Sequence, residues 1–353
     1  MLRFFLTTLI ILFYRSTKPT TDVSLLRQKK IKLLVISYDA LGDFLISTPL
    51  PEQIKKDFPN AELDLLCSDR NFALAKKYGW FGKLWPIQLN SRFWDLENWK
   101  IIFAIKAVGY DLVINLFDEP DEVGLSKILV AAANSKLISL SLRKKSKYQG
   151  HQLNFFNGFF TNPSMFTPPV EVPVHFLERL CQICLFWSSS VDIDYRYRFP
   201  DIPAVQKLPI SPLKKIYFHP FGSQKNNCLD LGVITSVLQS IDGYEWSLPA
   251  IKNKFTGENL GQFNDVAIQF ISFFDLASHI KSCDAVVSVD TSTAHLAVAL
   301  EKPLFLIRAD ESWRQNFDPQ VGLFKVFKSE TSKIESVNVL KLQIELKRFI
   351  SQI

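Results

Sequence analysis

Glycine is scarce in this chain, 13 residues in 353, so a glycine inside an otherwise regular segment is informative. No G-x-G-x-x-G follows the first predicted strand, which argues against an ordinary dinucleotide-binding protein. The five cysteines, Cys67, Cys181, Cys184, Cys228 and Cys283, are odd in number and scattered. They argue against a disulfide framework and suit a reducing compartment. Cys181 and Cys184 form C-x-x-C, but within the apolar run HFLERLCQICLFW and with no second ligand pair nearby. Buried helix cysteines, and no metal, are the expectation. The apolar run Phe4 to Tyr14 falls short of the ~20 residues of a spanning helix. Flanked by Arg3 and by Arg15 and Lys18, it reads as an uncleaved membrane-surface anchor; a buried helix and a signal peptide are the alternatives. A dense basic stripe is also missing: the net charge of +6 is spread over 41 Lys+Arg and 35 Asp+Glu. That balance suits a membrane face or a phosphorylated substrate, and no nucleic-acid motif is present.

What is present is a globular composition, 47% hydrophobic and 22% charged, in a chain long enough for two domains. After the apolar segment and basic linker of residues 1–30, short apolar runs of strand type alternate with helical periodicity. IKLLVIS, ELDLLCS, KLWPIQL, DLVINLF and KLISLSL are predicted strands of residues 31–195, with NFALAKKY, FWDLENWKIIFAIKAVG and GLSKILVAAA as helices between them. The prolines Pro200, Pro203, Pro209 and Pro212 mark a boundary. The rhythm then restarts over residues 196–353, through KIYFHP, YEWSLP, AVVSV and PLFLI, to a terminal helix VNVLKLQIELKRFISQI. Such alternation implies parallel sheets covered by helices, two Rossmann-like halves around a cleft.

Three segments could carry chemistry. In SYDALGDFLISTP, Gly42 would permit a sharp strand-to-helix turn. Asp43 would then be either a helix cap or a general base for an acceptor hydroxyl, with Asp39 competing for either role. In VVSVDTSTAHLAVAL, a buried strand delivers Asp290, then Thr291, Ser292 and Thr293, to a helix start that receives phosphate well. His295 in the first turn would reach the same anion or a ribose. In HPFGSQKNN, Gly222 and Ser223 form a turn and Lys225 offers a compact charge for a diphosphate; a plain surface lysine is the alternative.

Taken together, YDALGDFLISTPLPEQIKKDFPNAELDLLC, YDLVINL, VPVHFLERLCQICLFW, FHPFGSQK and the long run ending in CDAVVSVDTSTAHLAVALEKPLFLI resemble glycosyltransferase family 9. That family comprises heptosyltransferase-like enzymes of GT-B fold. The resemblance implies an α/β chain of two Rossmann-like domains facing a central cleft, with a C-terminal helix. It implies an inverting, metal-independent enzyme without a cofactor, moving a sugar such as heptose from a nucleoside-diphosphate sugar to a phosphorylated glycolipid of lipopolysaccharide type. A cytoplasmic protein peripheral to the inner membrane is implied with it. Asp43 takes the place of the catalytic base, and Gly222, Ser223, Lys225, Asp290, Thr291, Ser292 and His295 take donor-binding places. Glu258 corresponds to a ribose-binding glutamate. Arg143, Lys144, Lys145 and Lys147, clustered in LRKKSKYQGHQ, read as solvated charge or as contacts to acceptor phosphates or the membrane. The chain departs from the family pattern at Ser37, at Ser292 in place of glycine, at Asn227 in place of tryptophan, and at Arg308 in place of glycine. The departures at Ser37, Ser292 and Asn227 leave open a non-catalytic nucleotide-sugar-binding protein of the same fold; a GT-B transferase or epimerase using a uridine nucleotide is a second alternative.

Overall fold

The computed structural model describes residues 30–37, 40–88, 95–116, 122–132, 135–139, 175–185, 187–188, 193–202, 213–222, 224–250, 266–311 and 317–353. The chain divides into two units, Met1–Asp194 and Tyr195–Ile353.

In the first unit, β1 (Lys32–Ser37) leads into α1 (Leu41–Ser47) and α2 (Pro49–Asp57), then β2 (Glu62–Ser68) and α3 (Asp69–Ala75). β3 (Leu84–Ile87), α4 (Leu96–Val108), β4 (Leu112–Asn115), α5 (Glu122–Ala131), β5 (Lys136–Ser139) and α6 (Phe176–Cys184) follow. The strands lie in the order β3-β2-β1-β4-β5, every pair parallel. Leu33, Leu34, Val35 and Ile36 are all fully buried, as expected of a parallel strand covered on both faces. Leu34, Ile36, Leu66 and Val113 pack with Ile102 and Ile105 of α4 in one apolar cluster. Local signals set the helix ends. Ser68 and Asn71 form a capping box at the start of α3, and Gly109, at φ 66°, ends α4 in the left-handed region where glycine carries no Cβ penalty. Trp187, just after α6, donates its indole N–H to Asp57 at 2.8 Å and meets Phe58 edge-on.

The second unit repeats the plan with β6 (Lys214–His219), a 3₁₀ turn (Lys225–Asn227), α7 (Leu231–Ser240), β7 (Tyr244–Pro249) and β8 (Ala267–Ile268). It continues through α8 (Phe273–Ser282), β9 (Ala285–Val289), α9 (Ser292–Ala299), β10 (Leu304–Arg308), β11 (Phe324–Lys328) and α10 (Val339–Ile350). Its strand order is β11-β10-β9-β6-β7-β8, again parallel throughout. Ile216, Phe218, Val287, Val289, Phe305 and Ile307 share a core with Leu342, Leu346 and Phe349 of α10.

Each sheet contains a point where the winding direction reverses, between β1 and β4 in the first unit and between β6 and β9 in the second. Ligands of open parallel sheets bind outside the carboxyl ends of the strands at such points. The topology therefore marks the segments after Ser37 in one unit, and after His219 and Val289 in the other. No described helix is long and apolar enough to cross a membrane.

Candidate active site

At the carboxyl end of β1, Ser37 is buried, and its carbonyl accepts from the Asn71 side chain at 2.9 Å. Asn71 also closes the capping box of α3, so the strand end is pinned to a helix start. The N-cap of α1 is Ala40, extended and without a side-chain capping bond. One expectation is corrected here, and one of the two alternatives for Asp43 is narrowed. Gly42 is the second residue of α1, buried within the helix rather than making a turn. Asp43 is not the capping residue; it is the third residue of the helix, half-buried, in the turn where the helix dipole favours a carboxylate. The T-P of the motif has a plain structural reason. Thr48 closes α1, its hydroxyl donating to Leu45 O at 2.6 Å, and is at once the N-cap of α2, with Pro49 in the first turn.

In the second unit alternate residues sort to opposite faces of the sheet. With Ile216, Phe218, Val287, Val289, Phe305 and Ile307 in the core, the other face carries Tyr217, His219, Ser288, Asp290 and Arg308. Thr291 is the N-cap of α9, and its hydroxyl accepts from Thr293 N at 3.2 Å; that oxygen serves the helix start. Ser292 opens the helix and is half-buried, as is Asp290. The Thr293 hydroxyl lies 3.2 Å from His219 Nδ1, which also meets the Tyr217 hydroxyl at 3.2 Å. One hydrogen-bonded chain thus ties the end of β6 to the start of α9, across the reversal point.

The loop after β6 is closed by an antiparallel bridge between Phe221 and Cys228 and by Leu229 N donating to Pro220 O at 3.0 Å. Gly222 packs directly on buried Asn227: a Cβ at Gly222 would lie 2.5 Å from the Asn227 Cβ. Lys225 opens the 3₁₀ turn and is exposed. His295, on α9, is 8% exposed and its Nδ1 has no partner. Arg308 ends β10 fully buried, its Nη2 donating to Asp318 at 3.1 Å. Burial pushes the Asp318 carboxyl up to about 6 against the pull of Arg308.

Burial holds His219 down to about 4, and also lowers His279 and His295. These rings stay neutral in the folded protein near neutral pH, whereas an unfolded histidine takes up a proton below about 6.5. Protons therefore favour the unfolded chain as pH falls from about 6.5 to about 4, and His219 alone removes up to about 3 kcal/mol across that window. In urea melts at pH 7 and pH 5, His219→Asn should show a smaller acid-induced drop in midpoint than the wild type. An equal drop would mean that His219 charges freely in the folded state.

No protein-family model matches the chain. A glycosyl transferase family 9 structure from Veillonella parvula superposes with a TM-score of 0.67 at 11% identity, covering 93% of this chain and 99% of that one. Escherichia coli heptosyltransferase WaaC with ADP gives 0.63 at 14% identity, covering 90% and 100%. The shared architecture is GT-B. In sequence, lipopolysaccharide heptosyltransferase 3 of Escherichia coli is 23% identical over 289 residues, 74% of this chain and 79% of its relative. The chain thus shares the fold of family 9 glycosyltransferases and is similar in sequence to a lipopolysaccharide heptosyltransferase.

The structure brings Gly222, Lys225, Asp290, Thr291, Ser292 and His295 to one end of one sheet, and sets Asp43 at the corresponding end of the other. Asp39, Ser223, Glu258, Arg143, Lys144, Lys145, Lys147 and the apolar run before Arg15 lie outside the described residues. Cys181 and Cys184 sit on α6, Cys184 buried as expected and Cys181 only half-buried, and neither is in a disulfide. Other polar residues at this end of the second sheet, Tyr197, His219 and the Arg308–Asp318 pair, are not among the site residues expected from the sequence. His219 carried a signal, as the polar residue ending an apolar strand. Tyr197 carried none.

Proposed function

We propose that the enzyme transfers a sugar, heptose in the first instance, from a nucleoside diphosphate to a hydroxyl of a phosphorylated glycolipid, with inversion. The carrying observation is the hydrogen bond between Thr293 and His219, which holds the Lys225 loop and the start of α9 side by side. Amides of a helix N-terminus and a lysine together suit a diphosphate. The relatives in complex with ADP and acting on heptose support that donor class.

In the proposed step Asp43 takes the proton of the acceptor hydroxyl while its oxygen attacks the anomeric carbon. The bond from that carbon to the diphosphate oxygen breaks, and the diphosphate leaves with the electron pair. Lys225 and the amides after Asp290 stabilise the charge that develops there. Arg143, Lys144, Lys145 and Lys147 are the proposed contacts to acceptor phosphates at the inner-membrane surface, an electrostatic role of the kind basic clusters play at anionic headgroups.

A transfer assay with two variables tests the proposal. ADP-heptose is offered against UDP-N-acetylglucosamine, and a phosphorylated glycolipid against its dephosphorylated form. The expected result is β-to-α or α-to-β inversion at the anomeric carbon, preference for the ADP donor, and loss of rate on dephosphorylation. Retention of configuration would remove the single-displacement step; equal rates on both acceptors would remove the phosphate contacts.

A further inference from the structure

Six buried side-chain atoms among the described residues have no hydrogen-bond partner, and four of them gather in one place: Tyr197 Oη, His295 Nδ1, and Nε and Nη1 of Arg308. A buried polar atom without a partner keeps the cost of its desolvation uncompensated, so native proteins rarely keep several together unless something else satisfies them. The three side chains are 3%, 8% and 1% exposed. Their neighbourhood is compact. The Tyr197 and His295 rings lie 6.1 Å apart. Asp318 accepts from Arg308 at 3.1 Å, and its charge is felt at Tyr197 and in turn feels Asp290.

Register places this group. Ile307 pairs with Val289 in parallel strands, so Arg308 and Asp290 are neighbours at the strand ends, on the face opposite the core. Lys225 follows β6, on one side of β9, whereas Arg308 ends β10 on the other. The group thus flanks the α9 start opposite the lysine loop, where the portion of a donor beyond the diphosphate would extend. Its charge is informative as well. One guanidinium stands among two carboxylates, Asp290 and Asp318, with His295 kept neutral by burial. Such a set does not attract a further anion, but it offers two N–H donors, a hydroxyl and a ring nitrogen to neutral hydroxyls.

We propose that Tyr197, His295 and the Arg308–Asp318 pair form the sugar-recognising part of the donor site, selecting a neutral polyhydroxylated sugar over one bearing a carboxylate. This rests on the donor-binding reading given above.

Calorimetric titration of the full chain separates the two. ADP and ADP-heptose form one pair of probes; UDP, UDP-N-acetylglucosamine and UDP-glucuronic acid form a second set. In whichever set binds, Arg308→Gln should weaken the nucleotide sugar about tenfold and leave the bare nucleotide within about twofold. Tyr197→Phe should weaken the nucleotide sugar about fivefold, with an unchanged or higher Tm because it removes a buried unpaired hydroxyl. That variant keeps the test decisive if Arg308→Gln folds poorly. The proposal is overturned if Tyr197→Phe binds the nucleotide sugar like wild type, if nucleotide and nucleotide sugar lose affinity equally, or if the acidic sugar binds more tightly than the neutral one. If the wild type binds no nucleotide at all, the donor reading itself fails and this inference falls with it.

Discussion

Asp43→Asn will lower kcat for sugar transfer by about 10²–10⁴-fold, the usual contribution of a positioned general base, while the Kd for the nucleoside-diphosphate donor stays as in wild type. The reasoning starts from the helix. Asp43 is the third residue of α1, and its neighbours Gly42, Phe44, Leu45 and Ile46 are buried, so the backbone around it is fixed by the core. Asparagine keeps the shape and hydrogen-bonding reach of the side chain but is not a base. Donor binding is assigned to the other unit, through Lys225 and the start of α9, and the substitution leaves those groups untouched. The measurement is a steady-state assay together with donor titration. Turnover within threefold of wild type would remove Asp43 from the chemistry; loss of donor affinity would give it a binding role instead. The same assay bears on the departures from the family pattern at Ser37, Ser292 and Asn227. A rate that depends on Asp43 means that those substitutions have reshaped the site without disabling it.

Gly222→Ala will destabilise the protein by about 1–3 kcal/mol and weaken donor binding at the same time. An added Cβ would sit 2.5 Å from the Asn227 Cβ and 2.6 Å from its carbonyl oxygen, distances at which one backbone or the other has to move. Movement is hard to absorb, because Asn227 is 4% exposed and the loop is tied at its base by the Phe221–Cys228 bridge. Cys228 adds its thiol on the Gln224 carbonyl at 3.3 Å. What gives is the 3₁₀ turn that presents Lys225. Gly232 provides the control: it lies in α7 and a Cβ there meets nothing within 4 Å. Gly232→Ala is therefore expected to leave donor affinity alone and to raise stability by up to about 1 kcal/mol. Thermal melts and donor titrations on the two variants check the pair; similar behaviour of both would mean that the Gly222–Asn227 contact is slack.

The alternation of strand and helix was readable because parallel strands buried on both faces leave uninterrupted apolar runs, as in Leu33–Ile36 and Leu304–Ile307. Elements whose stability is supplied by neighbours were not. FKVFK, which forms β11, is short and broken by Lys325 and Lys328, with only Phe327 buried; its strand character comes from pairing with β10. The helix PLPEQIKKD carries two prolines, yet both fall in the first turn, where no N–H is missed. The site divides the same way. Asp290 and Lys225 were legible from local pattern, as a polar turn before a helix and a cation after a glycine. Arg308 was read only as a glycine replaced, since nothing in PLFLIRADES announces that its guanidinium is sealed in beside Asp318. Gly42 misled for a related reason: glycine after a strand suggests a turn, whereas here the helix has already begun and the residue is buried inside it.

Thr48 ends one helix and begins the next with no residue between them. α1 and α2 consequently behave as a single bent rod, with Asp43 near its tip and Leu50, Ile54 and Phe58 anchoring its shaft in the interior. A rod without a joint transmits displacement. Small changes of volume around Ile54, or at the Phe58–Trp187 contact, would slide the carboxylate by a comparable fraction of an ångström. Substitutions at those sites would probe the proposed role of Asp43 without altering any residue of the candidate site.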